Sequence, residues 1–405
     1  MTRSALLILL VTSFVLAACA PTDEAKMNEA LPDTLRIATY NIEDVRTGDL
    51  QNPDNPRLKK AAAVIQRLRP DILLVNEITY DGPEGQNAQR FANTFLNVSQ
   101  GEGLAPIRYQ AFSAPTNTGL ASGFDLNNDG VLVGTFPTPA PPNPDGSPPP
   151  QTQAQRDYGN DTWGFGTFPG QYGMALFVRE GLDIMRDSAR TFQLLPWSHM
   201  PNALMPVDST TGQPWYEGEE GEQFRLSSKS HWDVPVRLPH GEVLHVLASH
   251  PTPPAFDGPE QRNVRRNHDE IRFWADYLDD ADYIEDDAGQ AGGLPPDASF
   301  VIMGDQNADP DEGSSYNDPI GTFLLAHSRI NAEVAPRATP EGLDAYPDLD
   351  PDDTAGWGLR VDYVLPSANL RVLDSGIERP IGADTSGVQV SDHFPVWMDV
   401  AVGGE

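Results

Sequence analysis

Four apolar runs in this chain each end on a polar side chain: "RIATYN" on Asn41, "DILLVNE" on Glu77, "HVLASH" on His250, and "VIMGDQN" on Asp305 and Asn307. Short β-branched runs of this kind read as buried strands. Ligand sites in open α/β sheets form at the carboxyl ends of the strands. One such ending is readily a turn, since Asn and Asp start turns well. Four together restrict the chain to folds that bring those strand ends to one place.

The rest of the pattern is that of a mixed α/β domain. "RLKKAAAVIQRLRP" (57–70) sets Leu58, Ala61, Ala62, Ile65 and Leu68 on one helical face before Pro70 ends it. Further strands are expected at 172–178, 243–250, 300–307, 360–366 and 394–400, and helices near 87–98, 259–279 and 319–327. Between about 99 and 170 lies a long irregular insertion, in which eight of the fourteen residues from Pro137 to Pro150 are proline, a composition for exposed extended chain. The folded domain is expected over 35–403.

Residues 1–19 read as an export signal: Arg3, an apolar stretch Ala5 to Leu16, then Leu16-Ala17-Ala18-Cys19, which resembles a bacterial lipobox. Cys19 is the expected lipidation site and the only cysteine, so no intrachain disulfide forms. Residues 20–34 read as a flexible tether, and the expected location is the bacterial cell envelope, with the lipid as the sole membrane attachment.

Two further segments carry chemistry. "RVDYVL" places Asp362 inside an apolar strand, where a carboxylate requires a partner. "SDHFPV" brings Asp392 beside His393, a pair suited to oriented acid/base work or to metal ligation. Taken with the strand ends, the inventory is rich in hard oxygen donors and has no thiolate, which favours Mg2+ or Mn2+ and, through the metal's preference for phosphate oxygens, phosphoryl chemistry. One Asp then aligns a water, and a His backed by an Asp neutralises charge on the phosphate or protonates a leaving group. With 27 Lys and Arg against 59 Asp and Glu, the formal charge is −32, so nucleic acid is a disfavoured partner and a small phosphorylated substrate a favoured one.

Two motifs stand apart. Arg262, Arg265 and Arg266 crowd one helix that begins near His250, and Arg262 and Arg266 are candidate phosphate contacts; ion pairing within the helix, such as Arg265 with Asp269, is the alternative. The expected buried face of that helix is Val264, Ile271, Trp274 and Leu278, with Arg262, Arg266 and Asp269 on the far side. "DLNNDG" spaces Asp125, Asn127 and Asp129 like the start of an EF-hand loop, a candidate structural Ca2+ site, although its twelfth position is Phe136 and an Asx-turn loop has the same residues.

Seven segments in order, "TYNI", "PDILLVNEI", "YGMALFV", "ASH", "GDQNA", "GWGLRVDYVL" and "SDHFPV", resemble the endonuclease/exonuclease/phosphatase superfamily of DNase I-like phosphoesterases, over residues 35–402. The resemblance implies a four-layer α/β (α+β) sandwich of two packed mixed sheets flanked by helices. It implies Glu77 as main metal ligand with Asn41 and Asp392 close by, Asp305 on the attacking water, and Asn307 on the phosphate. His393, supported by Asp362, would contact the phosphate from one side and His250 from the other. Two departures are visible: Gln306 replaces the usual Phe of "GDFN", and "SHPTPP" replaces "THL". The expected function is metal-dependent phosphate ester hydrolysis. An extracellular nuclease and a non-catalytic surface binding protein on the same fold are the alternatives.

Overall fold

A computed structural model describes residues 34–83 and 85–402. The expected export signal with Cys19, and residues 20–33 of the expected tether, lie outside the described residues. Within them, no helix is long and apolar enough to cross a membrane.

Among the described residues, twelve strands form two mixed sheets: β1 (Thr34–Val45), β2 (Ile72–Ile78), β3 (Tyr109–Phe112), β4 (Met174–Arg179), β5 (Asp183–Ile184), β6 (Arg190–Thr191), β7 (His231–Arg237), β8 (Val243–Ser249), β9 (Ser299–Asp305), β10 (Asp362–Pro366), β11 (Arg371–Ile377) and β12 (Val396–Ala401). The first sheet runs β11-β12-β1-β2-β4-β3, and the second β10-β9-β8-β7-β5, with β6 also paired to β7. Only β1 with β2 and β8 with β9 are parallel, so each sheet has one parallel pair near its middle. Alternation along each strand decides the layers. Ile37, Leu74, Leu176, Val234, Val246 and Met303 pack between the sheets. Their neighbours Ala38, Val75 and Phe177 face outward onto helix α1 (Pro56–Leu68), through Leu58, Ala61, Ala62 and Ile65. On the other side Leu247, Phe300 and Ile302 pack against helix α3 (Arg262–Leu278) through Ile271, Trp274 and Leu278. The four-layer sandwich is therefore the fold.

The insertion is mostly irregular, as its prolines require, but it contains β3 and the helix α2 (Gln153–Asn160). Residues 87–98 form one α turn, Asn87–Phe91, that continues as a π-helix, Ala92–Leu96; the helix expected near 319–327 is likewise a π-helix, Ile320–Leu325. Strand β7 was not legible, because Pro235 argues against a central strand. On its far edge, β5 pairs with Val236 and Arg237 while β6 pairs with Asp233 and Trp232. Pro235 falls in the gap between them, where no donor is required.

Candidate active site

Parallel pairing places the polar residues. Asn41 of β1 is level with Asn76 of β2, so Glu77 stands one step further along. In the opposite sheet Ala248 of β8 is level with Met303 of β9, which carries His250 and Asp305 to the same edge. Antiparallel β10 begins there, with Asp362 opposite Asp305. The sheets are joined at this edge by Asn76, whose Oδ1 accepts from the Asp305 backbone N–H at 3.3 Å and from Thr39 Oγ1 at 3.3 Å.

Asp305 Oδ2 is the centre of the group. It accepts from Asn41 Nδ2 at 3.1 Å, lies 3.3 Å from His250 Nε2 and lies 3.7 Å from His393 Nε2. Asn41 Nδ2 also donates to Glu77 Oε1 at 3.1 Å, and the Asp44 backbone N–H donates to Glu77 Oε2 at 2.9 Å. His393 Nδ1 is 2.8 Å from Asp362 Oδ2, so the imidazole lies between two carboxylates. Asp392 sits at the rim, half exposed, 3.9 Å from His393 Nε2. Asn307 donates its backbone N–H to Asp305 Oδ1 at 2.8 Å and its side-chain amide to Pro251 O at 3.1 Å.

The electrostatics follow from burial and from who faces whom. Burial pushes the Glu77 carboxyl up to about 7, against the hydrogen bonds from Asn41 and Asp44. Burial and the neighbouring Lys229 ammonium push His250 down to about 4, which makes it a neutral imidazole. Burial acts against ionisation of Asp305, yet the His393 and His250 rings outweigh it and hold that carboxyl below its ordinary value. For His393 burial is likewise overcome, by Asp362 and Asp305, and its imidazolium is favoured.

Backbone strain is concentrated here. Glu77, Glu43, Asp44 and Asn307 all have left-handed backbones, with φ of 68°, 53°, 42° and 54°. Such residues cost of order 1–2 kcal/mol each and persist where surrounding contacts over-determine them. Gly304 has φ of +136°, and a Cβ there would lie 2.1 Å from Ser249 O. Only glycine lets β9 approach β8 this closely.

Several expected residues are placed elsewhere. Arg266 is buried: its Nε donates to Leu226 O at 2.9 Å and its Nη2 to Trp163 O, Arg225 O and Ser227 O at 2.7, 2.9 and 3.0 Å, with Phe224 stacked 4.7 Å away. That guanidinium is engaged with backbone and cannot also serve a phosphate. Arg262 donates to Leu126 O at 3.1 Å and lies 3.7 Å from Glu260. The expected Arg265–Asp269 pair does not form either: Asp269 accepts from Trp197 Nε1 at 2.6 Å, and the pair at this spacing is Arg272–Asp276. In the insertion, Asp125 Oδ2 accepts from Gly130 N–H, Asn127 Oδ1 from Asp129 N–H and Asp129 Oδ1 from Val131 N–H, the bonds of an Asx-turn loop. Gln306 is fully buried beside Ser249, whose Oγ also accepts from Trp274 Nε1 at 2.9 Å, so a polar link between β8, β9 and α3 stands where the resemblance implies a phenyl ring.

The face of α3 that carries its charges is buried as well. Asn267 Nδ2 donates to Thr252 O at 2.9 Å and to Gln306 O at 3.0 Å, joining the loop after His250 to the turn between Asp305 and Asn307. Glu270 accepts from the backbone N–H groups of Ser228 and Thr252 at 2.5 and 2.7 Å. Lys229, buried between them, donates to the same Pro251 carbonyl as Asn307, at 3.2 Å. Sequence reading missed all three, because charged residues on a helix and before an unrecognised strand read as solvent-facing. It also missed Trp357, half exposed and set edge-on to the His393 ring at 5.0 Å.

The donor set fits a divalent cation. Asp305 and Asp362 are buried carboxylates and Glu77 a partly buried one, with the His393 imidazolium facing Asp305 and Asp362 and the Lys229 ammonium near Glu77 and Asp305. The Asn41 amide bridges Glu77 and Asp305, donating from Nδ2 to each at 3.1 Å. Asp305, Asp362 and His393 also have ligand atoms within 4.8 Å of one another. In that trio the imidazole already supplies the counter-charge, which leaves Glu77, Asn41 and the rim carboxylate Asp392 as the oxygen donors in need of a cation.

No curated protein matches the chain. Among solved structures, it is similar to an endonuclease/exonuclease/phosphatase from Beutenbergia cavernae, at 18% identity over 92% of this chain and 72% of that one, with a TM-score of 0.49. It is similar to the human Nocturnin catalytic domain with bound sulfate anion at 14% identity, covering 92% and 95%, with a TM-score of 0.44. A counterpart from Bacteroides vulgatus shares 12% identity over 91% and 99%, with a TM-score of 0.46. The model of the endonuclease/exonuclease/phosphatase family, whose members are metal-dependent phosphoesterases and nucleases, matches residues 38–393, from β1 to His393. With a match spanning the two sheets and every strand-end polar residue described above, this chain belongs to the endonuclease/exonuclease/phosphatase family.

Proposed function

We propose that the protein hydrolyses phosphate esters, with a divalent metal, by attack of water at phosphorus, and that its substrate is a small or extracellular phosphorylated compound. The observation that carries this reading is Asp305 Oδ2, a buried carboxylate oxygen within 3.1 Å of Asn41 Nδ2, 3.3 Å of His250 Nε2 and 3.7 Å of His393 Nε2. An amide and two imidazoles gathered around one carboxylate oxygen put a base for water and donors for a phosphoryl group at one edge.

Glu77 and Asn41, with Asp392 at the rim, would hold a divalent cation, which would supply Lewis acidity to the phosphate oxygens. Asp305, kept ionised, accepts a hydrogen bond from the nucleophilic water and aims its lone pair at phosphorus. His393, charged and fixed by Asp362, donates from Nε2 to the phosphoryl oxygen on which charge accumulates. His250, neutral, donates from Nε2 and completes the ring of donors around Asp305. Asn307 supplies a carboxamide at the same edge, anchored to Pro251.

The net charge of −32 favours small substrates over polynucleotides. The amino-terminal pattern supports export and lipid attachment at Cys19, which metabolic palmitate labelling and a Cys19→Ser variant test directly. Activity is tested by incubating the purified protein, with Mg2+ or Mn2+ and with chelator, on nucleic acids, nucleotides, sugar phosphates, phospholipid headgroups and bis(p-nitrophenyl) phosphate. Metal-dependent release from at least one, lost in Glu77→Gln and His393→Ala, is the expected result. If neither variant lowers hydrolysis of any substrate, the enzymatic reading fails and a binding role on the same fold takes its place.

A further inference from the structure

The proline-rich part of the insertion reaches the active site through one buried arginine. Arg57, in the first turn of α1, is 1% exposed, and among the described residues its hydrogen-bond partners are backbone carbonyls. Nη1 donates to Ile42 O at 2.5 Å, Glu43 O at 2.7 Å and Val390 O at 3.0 Å, and Nε donates to Gly146 O at 2.6 Å. These acceptors belong to three separate stretches of chain. Ile42 and Glu43 follow Asn41 directly. Val390 precedes Asp392 and His393 by two and three residues. Gly146 lies in the proline-rich segment, which is also seated on the loop before α1 through Arg46 Nη1 to Ala140 O at 3.4 Å and through Pro142 packed against Gly48.

A guanidinium removed from water needs acceptors for its N–H groups, and backbone carbonyls provide them here at Nε and Nη1 without a carboxylate, while Nη2 is buried without a partner. Among the described residues Gly146 O is the acceptor of Nε, and withdrawing it leaves a second buried donor unpaired. We propose that the proline-rich segment is a positioning element of the active site: Gly146 O anchors Nε of Arg57, and Nη1 of Arg57 fixes the chain after Asn41 to the chain before Asp392 and His393. The insertion, which contains none of the seven segments that carry the family resemblance, is thereby a working part of the catalytic edge. Its consequence for catalysis rests on the phosphoesterase reading, whereas its consequence for the two loops does not.

Gly146 offers a minimal perturbation. It is left-handed, with φ of +81°, and a Cβ there would lie 2.3 Å from Oδ1 of Asn55, the side chain that caps α1, so Gly146→Ala lifts the segment away from Arg57. Gly123, also in the insertion and also left-handed at φ of +85°, has nothing within 4 Å of its virtual Cβ, and Gly123→Ala is the control for backbone strain alone. The full chain is compared with Gly146→Ala, Arg57→Lys and the double variant by amide hydrogen exchange over residues 42–45 and 388–394, and by turnover of bis(p-nitrophenyl) phosphate with Mg2+. Exchange should rise about tenfold or more in both stretches in each single variant. The kcat should fall about tenfold with KM within about twofold, as small misplacement of catalytic groups produces. The double variant should be no worse than Arg57→Lys, and Gly123→Ala should match the parent. Exchange that rises in Gly146→Ala only within 137–150, or effects that add in the double variant, would overturn the proposal. If Arg57→Lys does not fold, the comparison of Gly146→Ala with Gly123→Ala decides alone. A parent without turnover of this probe counts against the phosphoesterase reading for phosphodiesters of that kind, and the exchange data still decide the positioning.

Discussion

Replacing Arg266 with Leu separates the two roles that an arginine near this edge can have. Four carbonyls, of Trp163, Arg225, Leu226 and Ser227, accept from its Nε and Nη2. Ser227 O keeps a donor in Asn117 Nδ2 at 2.7 Å. Each of the other three carbonyls left without a donor costs of order 1 kcal/mol, so the gross loss is about 3 kcal/mol. Burial pushes the guanidinium pKa down, which signals a desolvation cost that the substitution relieves. The net destabilisation is therefore about 1–3 kcal/mol by the same reckoning. For a chain of this length, with an unfolding entropy of about 2 cal/mol/K per residue, that is a drop in Tm of about 1–4 °C. Scanning calorimetry gives the shift, and steady-state kinetics at a temperature where both proteins are folded give KM. The structural reading requires the lower Tm with KM unchanged. A raised KM at unaltered Tm would mean that the guanidinium leaves its carbonyls to meet substrate, and the account of α3 given above would be wrong.

Other outcomes follow from the same contacts. Asp362→Asn should keep the fold and lower kcat by about 10²–10⁴ with little change in KM, since it removes the charge that holds the His393 imidazolium; steady-state kinetics read it directly. His231, buried with its ring nitrogens on Ser227 Oγ and Glu270 O, has its pKa pushed down by burial to about 3. Because the folded value lies below the unfolded value of about 6.5, its contribution is complete above that pH and lost as pH falls toward 3. The Tm should therefore decline through this window less steeply in His231→Gln than in the parent. Gly304→Ala, which combines φ of +136° with a contact at 2.1 Å to Ser249 O, should give little soluble protein, whereas Gly241→Ala, left-handed with open space around it, should express normally.

The strand ends were legible because a period of two and an apolar run fix both the face and the tip of a strand. Asn41, Glu77, His250, Asp305 and Asn307 were found that way, and the positions of Asp362 and His393 follow from a carboxylate that could not be buried alone. The buried side of α3 was not legible. Arg266, Asn267, Asp269 and Glu270 satisfy backbone groups of loops distant in sequence, and nothing in a helical repeat distinguishes a polar residue that bonds to a loop from one that meets water. Lys229 was hidden for a related reason, since it precedes β7 and β7 contains a proline. The arginines near His250 drew attention for the right reason, a concentration of cations in an acidic chain, but only contacts could reveal that Arg266 serves the backbone.

Pro235 also has a consequence for how the chain finds its fold. Its carbonyl accepts from Met185 N–H at 2.9 Å on the outer edge of β7, so the position of its missing N–H faces the gap between β5 and β6. A slip of β7 by one residue would turn every side chain to the opposite face. It would also turn the proline nitrogen toward β8, where the ladder needs a donor, and carry Trp232, Val234 and Val236 out of the core. Pro235 is thus a register lock: the residue that made β7 hardest to recognise excludes the misaligned pairing nearest to the correct one.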